Sequence, residues 1–387
     1  MTSSTQPARF GVIGIKGAGK GHLAAVQALA GEGRAQLAAI CDIDESAARK
    51  AADAAGESSG GAKPTPYRNY QQMLSGERLD VVCIATPHYL HAPMTIAALQ
   101  AGAHVLCEKP IAISVSEADQ MIETAQRAGM RFAVGHQGRF SPSALAAKRL
   151  IGPEAETGEL VRVAWLSGGI RTQAYYDSGD WRGTWSEEGG GTLINQKVHD
   201  LDRLCWYAGL PSEVMALTGN FHHQVEPGIE TLATAVLRWD NGAQGVLQLS
   251  ITDGATLARQ EFHGQKAVLV IDGDHGTRLG RYARTIKEHV AGAGGRMEKL
   301  DVTWEDLPSG ARERDARVSM YAHFLDWIDG SLAPDSPLCT GEAGRDALEV
   351  VNGVILSAFR QRPVSLPVDR ADYDTLLEEL KDRAIRG

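Results

Sequence analysis

Three polar side chains follow a run of glycines in the stretch GGGTLINQKVHDLD, Gly189 to Asp202. Asn195, His199 and Asp202 have the spacing of neighbours on one face of a helix, beside an apolar stripe. An imidazole that faces a cleft can take a proton from a substrate, so His199 is a candidate for acid and base chemistry. The alternative is a histidine whose hydrogen bonds are satisfied within the core. The apolar stripe consists of Ile194, Val198, Leu201 and Cys205.

A lysine follows a short apolar run in the stretch AHVLCEKP, which is predicted to end a strand. Pro110 fixes the local backbone and restricts the residue before it, so Lys109 is expected to have a defined position. We therefore predict a functional amine at Lys109, with a solvated surface lysine as the alternative. Glu108 is either a partner of this site or a capping group.

The stretch RFGVIGIKGAGKGHLAAVQAL predicts a strand, a glycine-rich turn and a helix. Backbone N–H groups at such a helix start can hold a pyrophosphate. Gly14 and Gly19 fit the first and third places of the dinucleotide pattern, whereas Lys16 takes the middle place; a tight turn without a ligand is the alternative. The predicted cofactor contacts in this turn are Gly14, Lys16, Gly17, Ala18 and Gly19.

An acidic residue ends the next predicted strand, AQLAAICDID. Asp42 lies about 20 residues after Gly19, where a carboxylate accepts hydrogen bonds from the adenosine ribose. A carboxylate disfavours a 2′-phosphate, and no Arg or Lys follows Asp42 directly. The predicted cofactor is therefore NAD rather than NADP, and Asp44 is predicted to be the N-cap of the next helix.

Strands and helices alternate further in LDVVCIATP, APMTIAALQAG, AHVLCEKP, SEADQMIETAQRAG and RFAVGH. These repeated units predict a parallel, doubly wound sheet whose ligands lie outside the carboxyl ends of its strands. Residues after two of the strands are thus expected to face the cofactor. They are Thr86, Pro87, His88 and His91 after one strand, and Glu108 and Lys109 after the next. For His91 the alternative is a purely structural role.

The loop TQAYYDSGDWRGTWSEEGGG is rich in aromatic residues for a segment with so much glycine. Tyrosine and tryptophan next to an arginine suit the faces and hydroxyls of a polar ring, with a hydrophobic cluster as the alternative. Arg139, in GHQGRFSP, is either an interdomain hinge residue or a pocket residue. The candidate substrate contacts of the loop are Tyr175, Trp181, Arg182 and Trp185.

The second half of the chain predicts further strands. Asn241 and Gly242 predict a tight primed turn between two of them. The segment 278–298 is weakly periodic and is interpreted as a surface excursion. His222 and His223 are adjacent, which is not by itself the spacing of a metal site, so no metal is predicted.

Length and composition limit the classes of function. A chain of 387 residues is longer than one hydrophobic core usually supports. We therefore expect two domains, at 1–139 and 140–387. The net charge of −9, without a basic stripe, argues against nucleic acid and membrane surfaces as partners. Five widely spaced cysteines, no apparent signal sequence and no long apolar run predict a soluble, cytoplasmic protein with reduced thiols.

The stretches ATPHYLHAPMTIAALQAGAHVLCEKP, GGGTLINQKVHDLD and TGEAGRDALEVV resemble the glucose-fructose oxidoreductase, inositol dehydrogenase and rhizopine catabolism family, called Gfo/Idh/MocA. This resemblance implies a Rossmann domain joined to a larger antiparallel sheet. It also implies a homodimer or homotetramer assembled through that sheet, and NAD(P)-dependent oxidation of a sugar, a cyclitol or a sugar derivative.

The same resemblance implies residue roles. Lys109 would hydrogen-bond the reacting hydroxyl, and His199 would accept its proton. Asn195 stands where the family commonly has aspartate, and Lys197 where it often has glycine. We therefore assign catalysis to Lys109, His199 and Asn195, and include these three with Arg139 among the substrate contacts.

The main hypothesis is an NAD-dependent dehydrogenase that acts on a secondary hydroxyl. Two alternatives stay open at this point. One is a glycoside-cleaving enzyme that oxidises its substrate transiently with retained NAD. The other is an NAD-sensing regulatory protein on the same scaffold, which has no need of Lys109 together with His199.

Overall fold

The computed structural model describes residues 6–59, 63–273, 275–308, 310 and 314–386. Their chain divides into two units, Met1–Phe140 with Glu313–Arg345, and Ser141–Arg312 with Asp346–Gly387. The domain boundary near residue 139 stays a prediction. The segment Glu313–Arg345 belongs to the first unit, whereas the predicted domains placed all of 140–387 together.

The first unit contains a parallel sheet with the strand order β3-β2-β1-β4-β5-β6. This is the order of a doubly wound dinucleotide-binding fold, so the predicted fold class is confirmed for this part of the chain. Its strands are β1 (Ala8–Ile13), β2 (Ala35–Cys41), β3 (Thr65–Tyr67), β4 (Val81–Ile84), β5 (His104–Cys107) and β6 (Phe132–Val134).

The second unit contains a larger sheet, and its strands follow in chain order. They are β7 (Leu160–Ser167), β8 (Glu213–Gly219), β9 (Leu232–Arg238), β10 (Gln244–Ser250), β11 (Ala258–Gly264), β12 (Ala267–Asp272), β13 (Gly276–Tyr282), β14 (Val302–Leu307) and β15 (Val364–Ser365). The order in the sheet is β14-β13-β12-β11-β7-β10-β9-β8-β15. Neighbours are antiparallel except for β7 and β10, which confirms the mostly antiparallel second sheet.

Helices separate the strands of the first unit and also occur in the second. In chain order they are α1 (Gly19–Gly31), α2 (Glu45–Ser59), α3 (Tyr70–Gly76), α4 (His91–Gln100), α5 (Val115–Ala128), α6 (Pro142–Leu150), α7 (Gln173–Tyr176), α8 (Val198–Ala208), α9 (Ile286–Gly292), α10 (Ala316–Asp329), α11 (Gly341–Arg360) and α12 (Arg370–Arg386). Among the helices in the described part of the chain, none is long and apolar enough to cross a bilayer.

Helix α10 completes the core of the first unit. It packs against α1, the helix that follows the glycine-rich turn. Tyr321 and Phe324 of α10 are fully buried in the same apolar cluster as Phe10 and Val26. A segment about 180 residues beyond the last strand of the sheet thus covers apolar surface that the preceding helices leave open.

The hairpin between β9 and β10 differs from its predicted form. Trp239 N–H donates to Ala243 O, which leaves a three-residue loop ending at Gly242. Gly242 has φ of +85°, but Asn241 is not among the described residues with positive φ. A type I′ turn needs positive φ at both central residues, so the predicted tight primed turn at Asn241-Gly242 is wrong and a three-residue turn replaces it.

The segment interpreted as a surface excursion, 278–298, also differs from that prediction. Its first residues belong to β13, which pairs with both β12 and β14, and Leu279 is fully buried. Only one or two residues of this short strand face the core, so its period was too weak to recognise. The rest of the segment includes the short helix α9, which has no buried residues.

Candidate active site

The glycine-rich turn between β1 and α1 is shaped by close backbone contacts. Gly14 has φ of +81°, and a Cβ atom there would lie 2.6 Å from Ala85 O. A Cβ atom on Gly19 would lie 2.2 Å from Gly14 O. Glycine is therefore required in both places, and Gly17, Ala18 and Gly19 lead directly into the amino end of α1.

Asp42 connects this turn to the end of β2. One carboxylate oxygen accepts from Ile15 N–H at 3.1 Å, and the other accepts from Asp44 N–H at 2.9 Å. A carboxylate has about four acceptor positions, so Asp42 can also accept from ribose hydroxyls. Ile43 is 84% exposed where a cation for a 2′-phosphate would be expected.

Lys16 occupies the middle place of the glycine pattern, and its ammonium group has a partner outside the turn. Lys16 Nζ lies 2.9 Å from Asp44 Oδ2, and its side chain is 65% exposed. Asp44 also accepts from Ala47 N–H, which confirms its predicted role as a helix N-cap. The structure thus places the Lys16 ammonium at the next helix start.

The loops after β4 and β5 are joined by His91. Its Nε2 lies 2.9 Å from Thr86 O and its Nδ1 lies 2.7 Å from Pro110 O, while the ring is 1% exposed. His91 therefore holds the two loops together, which is the structural alternative stated above. Pro87 and His88 form the turn before α4, and His88 is also buried.

Glu108 lies in a buried network that sequence reasoning missed. Its Oε2 accepts from His22 Nε2 at 2.5 Å and from Arg317 Nη1 at 3.1 Å. The Tyr321 hydroxyl lies 2.5 Å from His22 Nδ1. Burial by itself would raise the pKa of Glu108, but the His22 hydrogen bond and the charges of His22, Arg317 and Lys109 hold it well below its usual range.

This network fixes the residue next to Lys109. Lys109 is half-buried, and its peptide bond to Pro110 is cis.

Arg139 is 4% exposed in a single helical turn after β6. The sequence signal for the network was His22 itself, which shares the apolar face of α1 with Val26 and Leu29.

In the second unit, Glu230 supports the glycine run that precedes α8. Its carboxyl accepts from the N–H groups of Gly191 and Leu193, and its own carbonyl accepts from Thr192. A Cβ atom on Gly191 would lie 1.9 Å from Glu230 O, so this position requires glycine. Burial raises the pKa of Glu230 to about 7, and the nearby charge of Glu188 adds to the effect.

Helix α8 begins at Val198, later than the helical spacing predicted. Asn195 lies in the preceding turns, where its N–H donates to Gly191 O, and His199 lies in the first turn of the helix. Turns with helix-like bonds keep a similar spacing, which is why the pattern continued across the boundary. The apolar stripe and Asp202 are buried, whereas His199 is partly exposed.

Tyr175, Arg182 and Asn195 form one hydrogen-bonded cluster. Asn195 Nδ2 donates to the Tyr175 hydroxyl at 2.9 Å, and Arg182 Nη1 donates to the same oxygen. The Arg182 guanidinium also lies 4.3 Å from the ring centre of Tyr175 and 4.5 Å from that of Trp181. The structure thus brings together four of the candidate substrate residues.

Trp185 differs from these neighbours because it is fully buried. Its indole N–H donates to Pro227 O, and its ring packs against Phe359. This is the placement of a core residue.

Lys197 is 8% exposed, and its Nζ donates to Ser167 Oγ at 2.9 Å.

The residues of the first unit fit a dinucleotide. The turn is closed to side chains at Gly14 and Gly19, the first helix presents its amino end there, and Asp42 provides an acceptor at the end of β2. Known protein families match this architecture. A model of the oxidoreductase family with an NAD-binding Rossmann fold matches residues 8–136, and a model of the GFO/IDH/MocA C-terminal domain matches residues 123–270.

A relative decides the assignment. D-xylose 1-dehydrogenase (NADP(+)) 2 of Haloferax volcanii is 31% identical over 242 residues, which are 62% of this chain and 69% of that protein. The chain belongs to the Gfo/Idh/MocA oxidoreductase family. It is an oxidoreductase with an NAD-binding Rossmann domain, and the family and the NAD cofactor predicted from the sequence are confirmed.

Two further proteins that resemble this chain have other names. The 2,7-anhydro-N-acetylneuraminate hydratase of Mediterraneibacter gnavus is 26% identical over 331 residues, covering 76% of this chain and 82% of that protein. The WlbA dehydrogenase of Bordetella pertussis, solved with NADH and UDP-GlcNAcA, has a TM-score of 0.75 and 26% identity. That match covers 94% of this chain and all of the other.

Proposed function

We propose that this protein is an NAD-dependent dehydrogenase that oxidises a secondary hydroxyl of a sugar, a cyclitol or a sugar derivative. The observation that carries the proposal is the hydrogen-bonded cluster of Tyr175, Arg182 and Asn195. Asn195 lies four residues before His199 in the sequence. Hydroxyl, amide and guanidinium groups beside aromatic faces suit a polar ring. The names of the Haloferax and Bordetella relatives, with xylose and a UDP-sugar, support this substrate class.

The side chains have separate roles in this reaction. An imidazole nitrogen of His199 accepts the hydroxyl proton, and Lys109 Nζ donates a hydrogen bond that stabilises negative charge on the reacting oxygen. Asn195 orients the substrate through hydrogen bonds. When bound, NAD supplies the nicotinamide that accepts hydride from the substrate carbon. The secondary alcohol becomes a ketone.

The residues that hold the dinucleotide follow from the same proposal. The backbone around Gly14 and Gly19 receives the pyrophosphate, and Asp42 binds the ribose. Thr86, Pro87 and His88 line the nicotinamide site, and Glu108 keeps Lys109 in place.

We also propose a cytoplasmic homodimer or homotetramer that assembles through the second sheet. Apolar side chains are exposed on its strands, among them Leu217 (74% exposed), Val236 and Val246. A row of such residues on one sheet face is typical of a subunit contact.

A substrate panel tests the proposed activity. Purified protein with NAD is offered pyranoses, cyclitols, anhydrosugars and glycosides while NADH absorbance is recorded. His199→Ala and Lys109→Ala are each expected to lower turnover by about 10²- to 10⁴-fold with NAD binding retained. His222→Ala, at an exposed histidine of the same unit, is the control. Normal turnover in both test variants would refute the assignment.

A second candidate function is redox-assisted cleavage with retained NAD. It is favoured by the similarity to the Mediterraneibacter hydratase, whose name gives an anhydro sugar as its substrate. In this case the protein would release or rearrange a sugar from the panel without net formation of NADH. Product analysis of the same reactions by chromatography distinguishes the two functions.

A further inference from the structure

Glu188 is a fully buried carboxylate directly before the glycine run. Its side chain is 0% exposed, and Oε2 accepts from Gly183 N–H at 2.5 Å. Oε1 accepts from Asn195 Nδ2 and lies 3.9 Å from Arg182 Nη1. A buried carboxylate is tolerated only where donors and a cation replace its water, and these three contacts do so.

The contact with Asn195 fixes the orientation of its amide. An ionised carboxylate only accepts hydrogen bonds, so the NH₂ group of Asn195, and not its oxygen, must face Glu188. The other proton of the same NH₂ group is directed at the Tyr175 hydroxyl. The Tyr175 oxygen therefore accepts from both Asn195 and Arg182, which leaves its own proton to act as a donor.

The charge of the cluster also follows from its neighbours. The second buried carboxyl nearby is Glu230, whose pKa of about 7 results from burial, with Glu188 as a smaller cause. Glu230 has backbone donors, whereas Glu188 has the guanidinium of Arg182. The guanidinium of Arg182 therefore favours the charged form of Glu188, whereas burial favours the neutral form of Glu230.

We infer that Glu188 is the positioning residue of the substrate cluster, and that its charge requires an uncharged donor at position 195. This inference rests on the proposed function for its effect on turnover. Its structural part, a charge at 188 that excludes a charge at 195, stands without that function. An aspartate at 195 would place two carboxylates in direct contact inside the protein.

A cycle of isosteric variants tests this inference. Asn195→Asp is expected to lower kcat/KM by about 10- to 100-fold, since one buried acceptor loses its donor. Glu188→Gln is expected to raise KM more than it lowers kcat, because one amide oxygen cannot accept from both Gly183 and Asn195, and the charge opposite Arg182 is lost. In the double variant the amide introduced at position 188 can donate to the carboxylate introduced at position 195, and activity is expected to return to within about tenfold of wild type.

The thermal midpoint as a function of pH is the second readout. In Asn195→Asp the carboxylate pair has one raised pKa, so the stability gained by protonation is lost as pH rises through that value. The double variant should lose this added slope. If the single variant does not fold, recovery of the fold in the double variant serves as the same test. Glu187→Gln, which removes the neighbouring carboxylate, should change neither the slope nor activity.

The outcomes separate the two proposals. If wild type oxidises nothing in the panel, the dehydrogenase proposal fails while the midpoint experiment still tests Glu188. If Asn195→Asp is as stable at pH 8.5 as at pH 5.5 relative to wild type, the inference on Glu188 is overturned. A double variant no better than either single variant overturns it as well.

Discussion

Glu108 in the first unit and Glu230 in the second are both buried, yet their pKa values move in opposite directions. Glu108 has an imidazole and a guanidinium at its oxygen, and its pKa falls well below the usual range. Among the described residues, the donors to the Glu230 carboxyl are backbone N–H groups, a carboxylate lies nearby, and burial raises the pKa of Glu230 to about 7. Burial opposes the charge in both places, and the partners decide the outcome.

The largest expected effect comes from removing the cation beside Glu108. Arg317→Met should lower the free energy of unfolding by about 3 kcal/mol, because the buried carboxylate loses a charged partner. Urea denaturation followed by circular dichroism measures this loss. Arg314→Met is the matched control, since Arg314 pairs with Glu32 at the surface and should cost under about 1 kcal/mol. Equal losses would show that burial does not distinguish the two pairs.

The raised pKa of Glu230 predicts a pH dependence of stability. Its contribution is fully present below the unfolded value near 4.5 and is lost as pH rises through about 7. Glu230→Gln should remove roughly 2 to 3 kcal/mol of this decline, measured as unfolding free energy between pH 4.5 and 8. Glu261→Gln, whose carboxyl has a pKa lowered to about 2, should leave the slope unchanged. The same pH profile in Glu230→Gln and wild type would contradict the assignment.

The smallest effect is expected for an exposed pair near the glycine-rich turn. Lys16 and Asp44 are in contact, but water surrounds both side chains. Lys16→Met should therefore leave the urea midpoint unchanged, and NADH affinity should change by less than about fivefold. Fluorescence titration with NADH measures the affinity. A larger loss would mean that Lys16 contacts the dinucleotide after all.

Local patterns predicted much of the fold. Buried strands that alternate with helices and a glycine-rich turn followed by Asp42 were sufficient for the parallel sheet and its cofactor. The place of α10 was beyond such reasoning, because an apolar helix face does not specify which sheet it will cover. Arg317 and Tyr321 reach Glu108 and His22 from about 200 residues or more away along the chain.

The candidate site was predictable only in part. The structure groups Tyr175, Trp181 and Arg182 as expected from their shared loop, and the resemblance supplied Lys109 and His199. Trp185 belongs to the same aromatic-rich loop as Trp181 but is fully buried in the core. Loop composition does not tell a buried tryptophan from one at a site. Glu188 carried no signal, because a charged residue beside glycines is usually at the surface.

The return of Glu313–Arg345 to the first unit has a consequence for synthesis on the ribosome. Domains commonly fold in order as they emerge, the amino-terminal one first. When residues up to 140 have emerged, Arg317 and Tyr321 have not yet been synthesised. Glu108 and His22 therefore lack these hydrogen-bond partners until α10 emerges. The unit that is translated first is therefore completed only when nearly the whole chain has been made.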